Sequence, residues 1–91
     1  MIKKLSWRDK YSLCLNDNLS IKEIMQLLDC GQPKATAIRN ETIRYCETNS
    51  IIRIGNKVPT DIVLQLVGKT RDDFYLRMID ERKLENDYDR S

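Results

Sequence analysis

Apolar side chains recur at helical spacing in five stretches of the chain, and turn-forming residues separate them. Ser6-Trp7-Arg8-Asp9 opens the first as a box-like start, with Trp7, Tyr11, Cys14 and Leu15 behind it, which predicts a helix over about Trp7 to Leu15. Asn16-Asp17-Asn18 is a turn cluster. Ser20 and Glu23 then make a capping box, in which the hydroxyl accepts an orphan N–H and the carboxylate reaches back. Ile21, Ile24, Met25 and Leu28 form one apolar stripe behind that box. The stripe stops at Asp29-Cys30-Gly31, where the glycine is expected to supply left-handed backbone. Pro33 restarts a helix in a first turn whose N–H would be unpaired anyway.

The helix from about Pro33 to Glu47 has two unlike faces. Ala35, Ile38, Thr42, Tyr45 and Cys46 fall on one side, and Pro33, Thr36, Ala37, Asn40 and Arg44 on the other, with Lys34 and Arg39 on the flanks. Glu47-Thr48-Asn49-Ser50 ends it. Ile51 to Ile54, Gly55-Asn56 and Lys57-Val58 read as a short hairpin with a two-residue turn, and Arg53 and Lys57 flank that turn. Pro59-Thr60 opens a further helix over Asp61 to Val67, with Ile62, Leu66 and Val63 expected to pack under the hairpin and Gly68 as the stop. Thr70, with Asp73 three later, starts a last helix to roughly Leu84, carrying a strip of Phe74, Tyr75, Met78 and Ile79.

Ninety-one residues fit one domain, taken here as 1–85, with 86–91 a polar tail. Charged residues make up 33% and no run is long and apolar enough to span a membrane, so a cytoplasmic protein is expected. Met1-Ile2-Lys3-Lys4-Leu5-Ser6 has no apolar core behind its lysines and is not read as a signal peptide. Cys14, Cys30 and Cys46 are unclustered and, without histidine or a CxxC pair, are read as reduced thiols rather than metal ligands. No metal or cofactor is expected. The absence of histidine and of a phosphate-binding glycine-rich loop leaves no catalytic constellation, so an enzyme is the weakest reading.

Net charge is only +2, and its distribution says more. Between Gln32 and Lys57 five cations (Lys34, Arg39, Arg44, Arg53, Lys57) face Glu41 and Glu47, whereas from Arg71 to Ser91 five cations face seven anions. The positive excess sits on the second helix and the segment behind it, as a footprint for phosphate requires.

The stretch Ser20 to Tyr45 resembles a bacterial DNA-binding helix-turn-helix: Ile24, Leu28, Cys30, Ala35 and Ile38 occupy the five positions where that motif wants apolar side chains. Met25 stands where the motif has a small residue, and Asp29 where it has its turn glycine. Arg53-Ile54-Gly55-Asn56-Lys57-Val58-Pro59 is similar to the R-I-G-x-x-h-P signature of excisionases from phages and transposons and their MerR-like relatives, h being apolar. There the signature joins a wing to the next helix.

The resemblance implies a mainly α winged helix-turn-helix with a small β-hairpin wing and about five helices. It also implies a double-stranded DNA partner, with the wing along the backbone or in the minor groove. Gln32, Thr36, Asn40 and Arg44 are the candidate base contacts, since amide and guanidinium groups can pair bidentately with base edges. Lys34, Arg39, Arg53 and Lys57 are the candidate phosphate contacts. The implied role is an excisionase-type architectural factor or a transcriptional regulator of a mobile element, with a recombinase or further copies of the chain as partners. Two alternatives stand beside it. Cys30 to Ala37 could form a helix-hairpin-helix, although proline stands where that module wants a glycine N–H. The chain could instead be an adaptor or inhibitor that docks on a protein through its last helix. Trp7 is expected in the core, with base stacking as the alternative.

Overall fold

The computed structural model describes the backbone of residues 5–53 and 55–90, and within them the side chains as far as Lys83. The elements run α1 (Trp7–Cys14), β1 (Asn18–Leu19), α2 (Ile21–Leu28), α3 (Gln32–Thr48), β2 (Val58–Pro59), α4 (Thr60–Val67) and α5 (Arg71–Arg90). Among the described residues the architecture is mainly helical, five helices with one two-strand antiparallel sheet. The readings that fall on residues 1–4, Ile54 and Ser91 lie outside the described residues.

Helix starts follow the capping residues. Ser6 Oγ accepts the Asp9 N–H at 3.2 Å, and Glu81 Oε2 of α5 accepts the Trp7 N–H at 3.3 Å. The capping box at α2 is complete, with Glu23 N–H on Ser20 Oγ at 3.2 Å and Ser20 N–H on Glu23 Oε1 at 3.0 Å. Thr70 and Asp73 make the same reciprocal pair before α5, at 3.2 and 2.8 Å. Each such cap contributes about 1 kcal/mol by giving orphan N–H groups a partner.

The turn between α2 and α3 differs from the sequence reading. Asp29, not Gly31, holds the left-handed conformation (φ 51, ψ 47), while Gly31 is extended (φ −80, ψ 172) and serves as the N-cap of α3. Asparagine and aspartate are the non-glycine residues that tolerate this region best, because the short polar side chain can be satisfied locally. Here the Asp29 carboxylate is gripped by Lys10, which reaches across from α1.

The hairpin over 51–58 is also corrected. Gly55 (φ 69) and Asn56 form a turn, but Ile51 to Arg53 is not a strand. Val58 pairs instead with Leu19, and Pro59 with Asn18. Leu19 and Val58 are both wholly buried, so this long-range pairing encloses two core side chains. A local hairpin would have paired Val58 with a segment whose Ile52 is 90% exposed, and burial decides between the two. Pro59 has no N–H to extend the ladder and ends it.

The core gathers Cys14 from α1, Leu19, Ile24 and Leu27 from β1 and α2, Ala35 from α3, Val58, then Val63 and Leu64 from α4 and Phe74 from α5. Leu66, expected in that core, is exposed, and Leu64 takes its place while Ile62 is half-buried. The Thr60 N–H donates to Asp17 O at 2.9 Å, which pins the start of α4 and sets its rotation. Trp7 packs against this core, its ring 6.1 Å from that of Phe74. Of the α5 strip, Phe74 is core, Met78 and Ile79 are half-buried, and Tyr75 is exposed with its ring edge-on to Tyr11 at 5.4 Å. The helix also runs on to Arg90, through residues read as a polar tail. Burial pushes the Cys14 thiol up to about 11, against a smaller opposing effect of Arg71. Among the described residues no helix is long and apolar enough to cross a membrane.

Candidate functional site

Helix α3 carries the candidate site, and its buried side fixes which side is presented. Ala35, Thr42 and Cys46 are essentially inaccessible, and Ile38 and Tyr45 are half-buried. Thr42 spends its hydroxyl on Ile38 O at 2.8 Å, so this face closes with its one buried hydroxyl satisfied. Small Ala35 lets α2 and α3 pack closely. The opposite side holds Pro33, Ala37, Asn40 and Arg44, all exposed, with Thr36 half-buried at its edge, while Gln32, exposed at the helix start, lies three residues before Ala35 and so nearer the buried side.

Gln32, Thr36, Asn40 and Arg44 stand four residues apart, so the row climbs about 6 Å per step along the axis and extends about 18 Å. Its amide, hydroxyl and guanidinium groups can each donate, and three of the four can also accept. Arg44 is paired with Glu41 at 3.3 Å, but both side chains are more than half exposed. Such a surface pair is worth about 0–1 kcal/mol and exchanges readily for another anion.

The start of α3 is built for negative charge. Asp9, Glu23, Asp61 and the pair Asp72 and Asp73 place carboxylates in the first turns of α1, α2, α4 and α5. Helix α3 has none there, and its N-cap glycine offers no side-chain acceptor. The positive end of its dipole is therefore left uncompensated, with exposed Lys34 beside it. Lys34 makes no ion pair among the described residues.

The segment behind α3 is held at both ends. Ser50 turns left-handed (φ 57), the Ile51 N–H reaches back to Cys46 O at 2.8 Å and the Ser50 N–H to Glu47 O at 3.4 Å, which is a Schellman ending with serine in the usual glycine place. On the return, Arg39 Nε donates to Asn56 O at 3.3 Å and Lys57 Nζ lies 3.9 Å from Glu23 Oε1. Arg39 thus spends one of its five donors in tying the loop to α3. Arg53 is half-buried and Lys57 exposed. Of the four cations read as phosphate contacts, Arg39 and Lys57 are joined to this loop's frame, Arg53 lies within it, and Lys34 stands at the far end of α3.

Three residues of this region were not singled out in the sequence. Lys10 is 1% exposed, with Nζ 2.5 Å from Asp29 Oδ2 and 4.2 Å from the Trp7 ring centroid. Helical spacing from Trp7 and Cys14 placed it on the buried face, so its position was readable although its partner was not. Asn56 and Ile52, the loop's anchor and its exposed apolar side chain, had no signal beyond the turn composition.

Comparison with family models, with curated proteins and with solved structures finds no match to this chain. Its functional reading therefore rests on its own residues.

Proposed function

We propose that this chain is a winged helix-turn-helix protein that binds double-stranded DNA sequence-specifically, as an excisionase-type architectural factor or a transcriptional regulator of a mobile element. One observation carries the reading: Asn40 and Arg44 lie exposed on the side of α3 opposite wholly buried Ala35, Thr42 and Cys46, with Gln32 exposed at the helix start, and Arg39 joins that helix to a loop bearing Arg53 and Lys57. Three further features support it. The helix start lacks acidic side chains. The α2–α3 turn is short. The cationic loop leaves α3 and returns through β2, which pairs with β1 just ahead of α2, and this path supports its reading as a wing.

In this mechanism α3 enters the major groove. The amides of Gln32 and Asn40 suit adenine, the Arg44 guanidinium suits guanine O6 and N7, and half-buried Thr36 reaches least far. Lys34, Arg39, Arg53 and Lys57 hold phosphates, which fixes register and makes binding weaken with salt. A recombinase, or further copies on adjacent sites, would be its partners.

The test is a selection from random duplexes followed by retention at rising salt. A shared site among the winners, and affinity falling linearly on a log–log plot, is the expected result. An unenriched pool would overturn it. The competing reading, a protein-docking module on α5, draws on exposed Leu76, yet Phe74 is committed to the core and Tyr75 to Tyr11.

A further inference from the structure

Resting on that reading, we propose that Ile52 is a wedge that enters one base step of the bound duplex, unstacks it and bends the DNA. Ile52 is 90% exposed, far beyond Leu76 at 60% or Leu15 at 59%, and it stands in a loop rather than on a helix with a packed opposite side. A single exposed aliphatic residue on a mobile surface would call for no account. This one is held in place. The Schellman ending at Ser50 and Ile51 fixes the chain immediately before it, and the Arg39 bond to Asn56 fixes the chain four residues after it. A β-branched side chain is also stiff at its first torsion, so the anchored chain at Ser50 and Ile51 limits where the wedge points.

The surroundings select the partner. Thr48, Asn49, Ser50, Gly55 and Asn56 are all exposed, and Arg39, Arg53 and Lys57 supply the charge. Among the described residues of the tip, Ile51, 38% exposed, is the one other apolar side chain at the surface. A protein groove or a lipid surface would need a wider apolar patch. An aliphatic point ringed by small polar groups and cations matches an unstacked base step, where the wedge replaces base–base contact and the cations grip phosphates on either side.

The experiment uses a duplex recovered by the selection above, carrying 2-aminopurine at successive positions and a dye pair on its ends. With the parent protein, fluorescence should rise at one step and the end-to-end distance should shorten. With Ile52→Ala both changes should vanish and affinity should fall about three- to tenfold, with an unchanged salt slope. Ile52→Leu should retain both changes. Circular dichroism should show the variants folded, since residue 52 is 90% exposed. A parent that holds the duplex with every probe still quenched overturns the wedge and leaves DNA binding standing. Unstacking that persists in Ile52→Ala also overturns it, as does a salt-insensitive protein capture that Ile52→Ala abolishes. A parent that holds no duplex removes both readings.

Discussion

Lys10 Nζ lies 2.5 Å from Asp29 Oδ2, and this pair joins α1 to the turn that sets the direction of α3. The two ends are unequal. The Lys10 side chain is 2% exposed and that of Asp29 41%, so the lysine depends on its partner far more than the reverse. Asp29→Asn keeps a residue that tolerates the left-handed backbone but strands a buried ammonium, and should lower unfolding free energy by about 2 kcal/mol, discounted from the 3–5 of a fully buried pair. Lys10→Met keeps the packing against Trp7, leaves Asp29 to solvent, and should cost about 1 kcal/mol or less. Urea denaturation of the two variants checks the order, and the reverse order would show that the charge is not what holds this turn.

Ser50 adopts φ 57 at the end of α3, where glycine is the usual residue. Ser50→Gly should raise stability by about 0.4–1 kcal/mol, because it relieves a backbone position that side chains disfavour by more than the added unfolded-state freedom costs. Gly55→Ala, at φ 69, should lower it by about 1 kcal/mol. Thermal unfolding reads both, and equal melting temperatures would argue against the loop's fixed ending.

Arg53→Ala and Lys57→Ala should weaken binding to all duplexes alike and make the salt slope shallower by about one per lost phosphate contact. Anisotropy titrations over a range of salt measure this. A slope that stays the same in both variants would remove the loop from the DNA.

Cys14 is wholly buried and its thiol is pushed from its usual 9.0 to about 11. The folded state thus keeps a proton that the unfolded state has lost, so this contribution is complete below pH 9 and disappears as pH rises toward 11. The difference in stability between parent and Cys14→Ala should therefore narrow over that window by about 2 kcal/mol. A difference that stays constant from pH 8 to 11 would show the thiol already ionised, or never buried.

The helices and their faces were legible because they depend on local spacing and capping. Ser20 with Glu23, Thr70 with Asp73, and the inward set Ala35, Thr42 and Cys46 each follow from residues within a few positions of one another. The misreadings share a cause in contacts distant along the chain. Asp29 takes the left-handed backbone in contact with Lys10, nineteen residues away. Val58 leaves a plausible local hairpin for Leu19, and Thr60 sets the rotation of α4 through Asp17. Of the candidate site, Asn40 and Arg44 were readable as part of an exposed face. The exposed tip at Ile52 and the tie from Arg39 to Asn56 were not, since neither follows from periodicity.

The most direct measurement is a comparison of the parent with Asn40→Ala and Arg44→Ala on a selected duplex and a scrambled one of equal length. Each variant should lose about 1–3 kcal/mol of its preference for the selected site while binding the scrambled duplex as the parent does and keeping its circular dichroism spectrum. If both variants discriminate between the two duplexes as well as the parent, α3 does not read bases.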